Sequence, residues 1–505
     1  MCLTTVRDLC DALDEGGVAY CHWKSNDRLQ DATAGLTDLD LLIDDAHAEE
    51  ARARLAQLGF VPAVAVWYRR YPGIEDHLAV DPETGRLVHV HLHLRLVVGT
   101  RLTKPYRLPW EKEILSRRER DPLAGLYRTD AASEMLLLLV RLVLKGTHRP
   151  STRGDATVDQ AALREHRHLR AHVDAAACAQ LTATLLGPAA VEPARRLCQG
   201  DLDTGTLSEF ATACAATLRC FRRMPLPREY AARLGRRAGR LLHRASQRTP
   251  LLLPQRRTLQ GPGVIVCVVG ADGSGKSTLT RHLRTTLGAK FDVLGLYLGS
   301  GDGPGSLIRA PLDALKRAAR GRPQVPTSDP AIEARPNEPT ARRSGSRRGG
   351  PLRRLFGLLW SLALAWEKRR KLGRAVLAKT RGFVVITDRY PQTHVLGFND
   401  GPRLSHLGAT RNPLLRALAR WEHDAYRVDA RRAPDLVIKL IGDPHVLAGR
   451  RPEMRLATIV AKQQAILELP DYPGARSLTI DAGYGEERVR TTALRHVGAL
   501  LKGRP

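Results

Sequence analysis

The stretch VIVCVVGADGSGKST at positions 264–278 constrains this chain more than any other. Residues 264–269 form an apolar, β-branched run of strand length that ends at Gly270. Residues 270–277 then match G-x-x-x-x-G-K-[ST], a loop that wraps a phosphate chain. The chemistry needs this spacing. Gly270, Gly273 and Gly275 let the backbone turn tightly, so that successive N–H groups point at phosphate oxygens. Lys276 adds a mobile cation and Ser277 a hydroxyl that suits Mg²⁺. Residues from Lys276 onward read as a helix, which aims a helix N-terminus at the anion. The candidate phosphate-binding residues are Gly270, Ala271, Asp272, Gly273, Ser274, Gly275, Lys276, Ser277 and Thr278. The alternative is an ordinary glycine turn, but strand, loop and helix occur in the required order.

A chain of 505 residues has room for several domains. Aromatic residues make up only 5%, so base stacking is not a broad theme. The formal net charge is +28. It suits a nucleic-acid or anionic-membrane partner, or arginines spread over solvated surfaces; no nucleic-acid-binding module is recognisable, which favours the second. The 8 cysteines include no C-x-x-C pair, as expected for free thiols in a reducing cytosol. The N-terminal stretch reads as an acidic amphipathic helix and not a signal peptide, so the expected location is cytoplasmic. Apolar runs at 135–144 and 355–366 fall short of the ~20 residues a membrane span needs, and read as buried helices, with interfacial membrane contact as the alternative for the second. No transmembrane segment is expected.

Residues 1–125 alternate short strands and helices. Residues 126–250 read as a helical region, with Asp130 as N-cap and Gly146 as C′ residue of one helix. A linker at 251–262 leads to a second α/β domain at 263–505. Within it, 322–350 is rich in Pro, Ser, Gly and Arg and reads as a disordered basic insertion. Strand candidates at 264–269, 292–298, 383–387, 436–441 and 477–480 alternate with helices. That pattern predicts a parallel sheet with sites at the strand C-terminal ends.

The informative residues sit at those ends. Asp388-Arg389-Tyr390 follows the third strand. Its carboxylate can order Mg²⁺ or polarise an acceptor, and its arginine can hold a second phosphate; alone, it reads equally as an N-cap and a surface arginine. Arg450 and Arg451 follow the fourth strand, either as a lid that neutralises transferred charge or as a basic helix start. No N-K-x-D guanine-reading motif and no L-S-G-G-Q stretch is present, which argues against a GTPase and a transporter ATPase.

GADGSGKST, the later ITDRY, PDLVIKLIGDP, the arginine segment and a late IDAG together resemble the thymidylate kinase family over about residues 263–505. The resemblance implies a P-loop NTPase domain of the nucleoside-monophosphate-kinase type. It further implies ATP- and Mg²⁺-dependent phosphoryl transfer to a nucleoside monophosphate or related small phosphorylated acceptor. On this reading residues 270–278 bind ATP and Ser277 and Asp388 hold Mg²⁺. Asp272, Arg389 and Tyr390 face the acceptor, and Lys276, Asp388, Arg389, Arg450 and Arg451 form the catalytic set. The chain departs from the family where R-E-P-G-G is usual, since 297–305 is a different glycine-rich loop. PQTHVLGFNDGP likewise replaces a glutamine-containing helix. The donor half is intact and the acceptor half rewritten. A nucleotide-binding regulator or scaffold is the reading from another class, and a homodimer is left open.

Near the N-terminus, Gly35-Leu-Thr-Asp38-Leu-Asp40-Leu-Leu-Ile places two carboxylates two apart on a strand, hence on one face. They can share Mg²⁺ and a triphosphate, or face solvent on an edge strand. The pattern resembles the nucleotidyltransferase fold over about residues 15–100, which implies an α+β domain. Lys24-Ser25 stands where that family commonly has G-S, and His91 where it has a third carboxylate. His89, His91 and His93 share a face and suit either a metal or a half-exposed strand. Such a domain either binds nucleotide without turnover or makes the protein a bifunctional kinase and nucleotidyltransferase.

Overall fold

The computed structural model describes residues 2–100, 102–146, 158–246, 252–299, 351–395 and 401–503. The expected insertion at 322–350 lies outside them, as do most of the loop at 297–305 and residues 396–400 of the segment after ITDRY. The chain divides into two compact units. Unit 1 is Met1–Gln260 with Leu501–Pro505, and unit 2 is Gly261–Leu500.

Among the described residues of unit 1, the main sheet contains β1 (Tyr20–His22), β2 (Leu39–Ile43), β3 (Val61–Ala65), β4 (Ile74–Val80) and β5 (Leu87–His93). A small hairpin of β6 (Leu96–Val98) and β7 (Tyr106–Leu108) follows, then β8 (Glu119–Arg120), β9 (Tyr127–Arg128) and β10 (Arg257–Leu259). The main sheet runs β10-β3-β4-β5-β2-β1-β9-β8. Alternation along each strand sorts its two faces. Leu39, Leu41, Ile43, Val88, Val90 and Leu92 pack with Val6, Leu9 and Leu13 of the helix Thr4–Glu15. Asp40, His89, His91 and His93 are left on the opposite face. Residues 257–259, expected in a linker, instead pair antiparallel with β3 as the edge strand β10.

The helical part of unit 1 is built around the helix Ala131–Lys145, whose residues Met135–Val140 are all buried. It is apolar all round because other helices surround it. Asp130 caps it, its Oδ1 accepting from Ser133 N at 3.2 Å, and Gly146 ends it at φ 78°. The helical region is preceded by a strand: Arg128 of β9 pairs with His22. Glu134 of this helix is buried and receives the loop after β1, accepting from Asn26 N at 2.9 Å and Asn26 Nδ2 at 2.6 Å.

In unit 2, β11 (Val264–Gly270), β12 (Val293–Tyr297), β13 (Val384–Asp388), β14 (Leu436–Ile441) and β15 (Arg476–Asp481) form a parallel sheet in the order β12-β13-β11-β14-β15. β11 is central, and its residues 264–269 are buried without alternation, as a parallel strand covered on both faces requires. Its start is tied by Asp435, which accepts from Ile265 N at 2.7 Å and Lys379 Nζ at 2.6 Å. The run 355–366 belongs to the helix Pro351–Thr380 and is only half buried: Trp360, Leu364 and Ala365 are covered, whereas Leu355, Leu359 and Trp366 are exposed. No helix among the described residues is long and apolar enough to cross a membrane.

Burial, reinforced by Glu165 nearby, pushes the Glu134 carboxyl up from 4.5 to about 7, against the pull of Asn26 and Arg141. A folded-state value above the unfolded one means that this group's contribution is complete below pH 4.5 and is lost as pH rises through about 7. The loss is on the order of 3 kcal/mol. Replacing the acid by its amide (Glu134→Gln) is expected to flatten the fall in unfolding free energy between about pH 5 and pH 8. Denaturant titrations at both ends of that range check it, and an unchanged slope contradicts it.

Candidate functional site

The loop between β11 and the helix Lys276–Gly288 takes its shape from three glycines. Gly273 and Gly275 have φ of +84° and +87°, where a side chain is strained. At Gly270 the limit is space: a Cβ would stand 2.5 Å from Ser274 Oγ and 2.8 Å from Leu440 O. Lys276 folds back into this loop, donating to Ala271 O at 2.7 Å, with Asp272 Oδ1 3.8 Å away. Burial, with Arg389 beside it, pulls the Lys276 ammonium down to about 8. Ser277 and Thr278 are exposed in the first helical turn.

Parallel pairing aligns Val268 with Asp388, so β11 and β13 deliver their ends to the same edge. Ser277 Oγ donates to Asp388 Oδ2 at 3.0 Å, while Asp388 Oδ1 is buried without a partner. Arg389 follows at φ 68°, a conformation that non-glycine residues hold only where the surroundings enforce it. Its Nη2 lies 3.4 Å from Asp272 Oδ1. Lys462 Nζ lies 2.6 Å from Asp272 Oδ2. Burial pushes the Asp272 carboxyl up, but Lys276, Lys462 and Arg389 together hold it below the ordinary carboxylate value.

The structure thus brings Lys276, Ser277, Asp388, Asp272 and Arg389 together. Both lid arginines are exposed: Arg450 reaches the loop at Gly273 O, 3.3 Å away, and Arg451 pairs with Glu453 at 3.3 Å while its stem lies beside Gly273. Tyr390 turns inward. Its ring is buried and its hydroxyl donates to Arg432 O, which commits the side chain to the fold. Lys462 is the site residue that no motif reveals. It comes from the helix Leu456–Leu467, and no fixed spacing links it to Asp272.

Unit 1 carries its own polar cluster. β2, β5 and β4 pair so that Asp40 faces His91 and His91 faces Asp76. His89 lies 2.9 Å from both Asp38 and Asp76, and His93 lies 3.1 Å from Asp40. Asp40 also accepts from Lys24 Nζ at 2.9 Å. Burial opposes ionisation of Asp40, yet Lys24 and the two histidines hold it well below the usual carboxylate range. Arg257 of β10 binds Asp76 at 2.9 Å. A cavity of about 930 Å³ opens here, with Asp76, His91, His93, Lys24, Lys104 and Arg240 in its wall. Burial, with Lys24 nearby, pulls the Lys104 ammonium down to about 7. Asp76, Arg257 and Lys104 carry no sequence signature of their own.

No family model matches the chain. It is similar to a protein of Escherichia coli strain K12 named uncharacterized ATP-binding protein YghS, at 29% identity over 248 residues, which are 48% of this chain and 94% of that protein. A second protein of the same strain, named uncharacterized ATP-binding protein YghR, is 28% identical over 224 residues, 44% of this chain and 81% of its own length.

Asp272 separates three cations that otherwise repel. Neutralising it (Asp272→Asn) is expected to lower the stability of unit 2 by about 1–3 kcal/mol. The loss should be smaller in sulfate than in chloride, because an anion can take the carboxylate's place. Thermal melts in the two salts check this; equal losses in both contradict it.

Proposed function

We propose that unit 2 binds ATP and transfers its γ-phosphoryl group to a small phosphorylated acceptor, in the first instance a nucleoside monophosphate. The single observation that carries this is the junction of Lys276, Ser277 and Asp388, where a buried carboxylate oxygen has no partner beside the helix N-terminus. The two relatives named as ATP-binding proteins support the donor. The resemblance of the motifs to thymidylate kinases supports the acceptor class.

The amides of the loop and the Lys276 ammonium hold the donor phosphates. Ser277 Oγ and Asp388 are oxygen donors of the kind Mg²⁺ takes, and the unpartnered Asp388 Oδ1 fits a water in its shell. When bound there, Mg²⁺ supplies positive charge at the phosphate oxygens. Arg389, steadied by Asp272, faces the acceptor phosphate. Arg450 reaches the loop at Gly273 and adds charge where the phosphoryl group transfers. An oxygen of the acceptor phosphate forms the new P–O bond as the bond from the γ-phosphorus to the bridging oxygen breaks. ADP leaves with that oxygen. The attacking oxygen is already ionised, so catalysis rests on positioning and charge stabilisation. The described cysteines are all free, which fits a cytoplasmic setting.

Lys276→Ala is expected to reduce phosphoryl transfer by about a hundredfold or more. Gly273→Ala, whose Cβ would meet Leu447 O at 2.8 Å, should weaken ATP binding by about tenfold. Both are read with labelled ATP against nucleoside monophosphates, then sugars and sugar phosphates. Full turnover in Lys276→Ala defeats the proposal. Tight ATP binding by the unaltered chain with transfer to none of these acceptors favours the regulator instead.

A further inference from the structure

The histidines of unit 1 have more acceptors around them than neutral rings can serve. A neutral imidazole has one N–H and one lone pair. His89 sets Nδ1 2.9 Å from Asp38 Oδ1 and Nε2 2.9 Å from Asp76 Oδ1. One contact can be an N–H···O bond. The other opposes two lone pairs unless the ring takes a second proton or a metal ion lies between them. His91 repeats the pattern. Its Nε2 has Arg257 Nη2 at 3.2 Å and Asp76 Oδ1 at 3.1 Å; a guanidinium only donates and a carboxylate only accepts, so a neutral ring serves one of them, and toward Arg257 Nε2 carries the lone pair. In that tautomer the proton sits on Nδ1, 3.2 Å from Asp40 Oδ1. The Nε2 lone pair is left facing Asp76 Oδ1 at 3.1 Å and Asp38 Oδ2 at 3.8 Å.

We propose that Asp38, His89 Nδ1 and His91 Nε2 are the protein ligands of a divalent ion of the zinc class. The donor atoms of these residues lie within 4.8 Å of one another. Metal–nitrogen bonds of about 2.0–2.1 Å put neighbouring tetrahedral ligands about 3.3 Å apart, so closure needs only small side-chain shifts. The outer carboxylates already stand where such a site needs them. Asp76 accepts from His89 Nε2 and Asp40 from His91 Nδ1, which turns each ring's lone pair toward the ion. Two imidazoles and one carboxylate suit zinc; magnesium takes oxygen donors. Asp40, His91 and His93 also come within ligand distance of one another, but there Lys24 Nζ pairs with a ligand carboxylate at 2.9 Å, whereas at the proposed site Arg257 has only to release His91 Nε2 and keeps its pair with Asp76. Three protein ligands leave a position open. His91 and Asp76 belong to the wall of the basic cavity, so the fourth ligand is a water or an anionic small molecule. This site is independent of the ATP chemistry proposed for unit 2.

The test uses the full chain, stripped with a chelator and titrated with Co²⁺ and then Zn²⁺. Expected is one ion per chain with the visible absorption of tetrahedral cobalt, displaced by Zn²⁺ and not by excess Mg²⁺. Asp38→Asn, at a partly exposed position, and His91→Gln should each weaken binding by about a hundredfold. Asp40→Asn, which loosens the His91 ring, should cost about tenfold or more. His93→Gln should retain the ion. Zn²⁺ should raise the melting temperature of the unaltered chain and not of Asp38→Asn. Absence of stoichiometric Co²⁺ or Zn²⁺ binding overturns the proposal. So does a folded Asp38→Asn chain that binds as tightly as the original, or loss of the ion in His93→Gln but not in Asp38→Asn.

Discussion

The chemistry of unit 2 depends on one register. β11 and β13 run parallel with Val268 opposite Asp388, and β14 lies on the other side with Leu440 opposite Gly270. Parallel strands that start level end level, so three chain segments open at one edge. A shift of β13 by one residue would turn Asp388 to the other face and take its carboxylate from Ser277. The register is held away from the site. Asp435 fastens the start of β11 through Ile265 N and pairs with Lys379, which lies just before β13. Apolar burial along 264–269 does the rest, since every residue of that run is covered.

Charge arranges what the register brings together. Asp272 is one carboxylate among Lys276, Arg389 and Lys462, so the cluster keeps net positive charge at the mouth of the loop. A site in this state is pre-organised for an anion: its cations are held apart and oriented by a counter-ion too small to satisfy them. Lys276 shows the cost. Burial and Arg389 weaken its hold on its proton, and a phosphate placed in the loop relieves both effects.

The legible parts of the chain were those fixed by short-range rules. The glycine spacing at 270–275 announces the loop because the turn and its positive φ values are local. Asp130 and Gly146 bracket a helix because capping is local too. Lys462, Asp76 and the inward turn of Tyr390 were not legible, for each depends on a partner that chain spacing does not name. Tyr390 belongs to a strand-end triplet whose first two residues reach the site, and only the backbone beyond Arg389 decides that the third does not. Asp76 is instructive because counting could have found it. The turn at 81–86 pairs Val80 with Leu87, and the same antiparallel count pairs Asp76 with His91. Finding it required committing to that hairpin first.

The two aspartates of β2 and its approach show why a face is not an environment. Alternation puts Asp38 and Asp40 on one side of the sheet, as the spacing requires. Their neighbours differ because different strands end beside them. β1 pairs antiparallel with β2, and Trp23 N reaches Asp40 O at 3.2 Å, so the next residue, Lys24, arrives at Asp40 and not at Asp38. A lysine at that position neutralises one member of the pair. Asp40 becomes a half-buried, doubly histidine-bonded anchor, while Asp38 lies at the more exposed end against His89. The pair is therefore unequal by construction. The imidazoles of His89 and His91 converge on Asp38, so a cation drawn to this face finds three ligands together there.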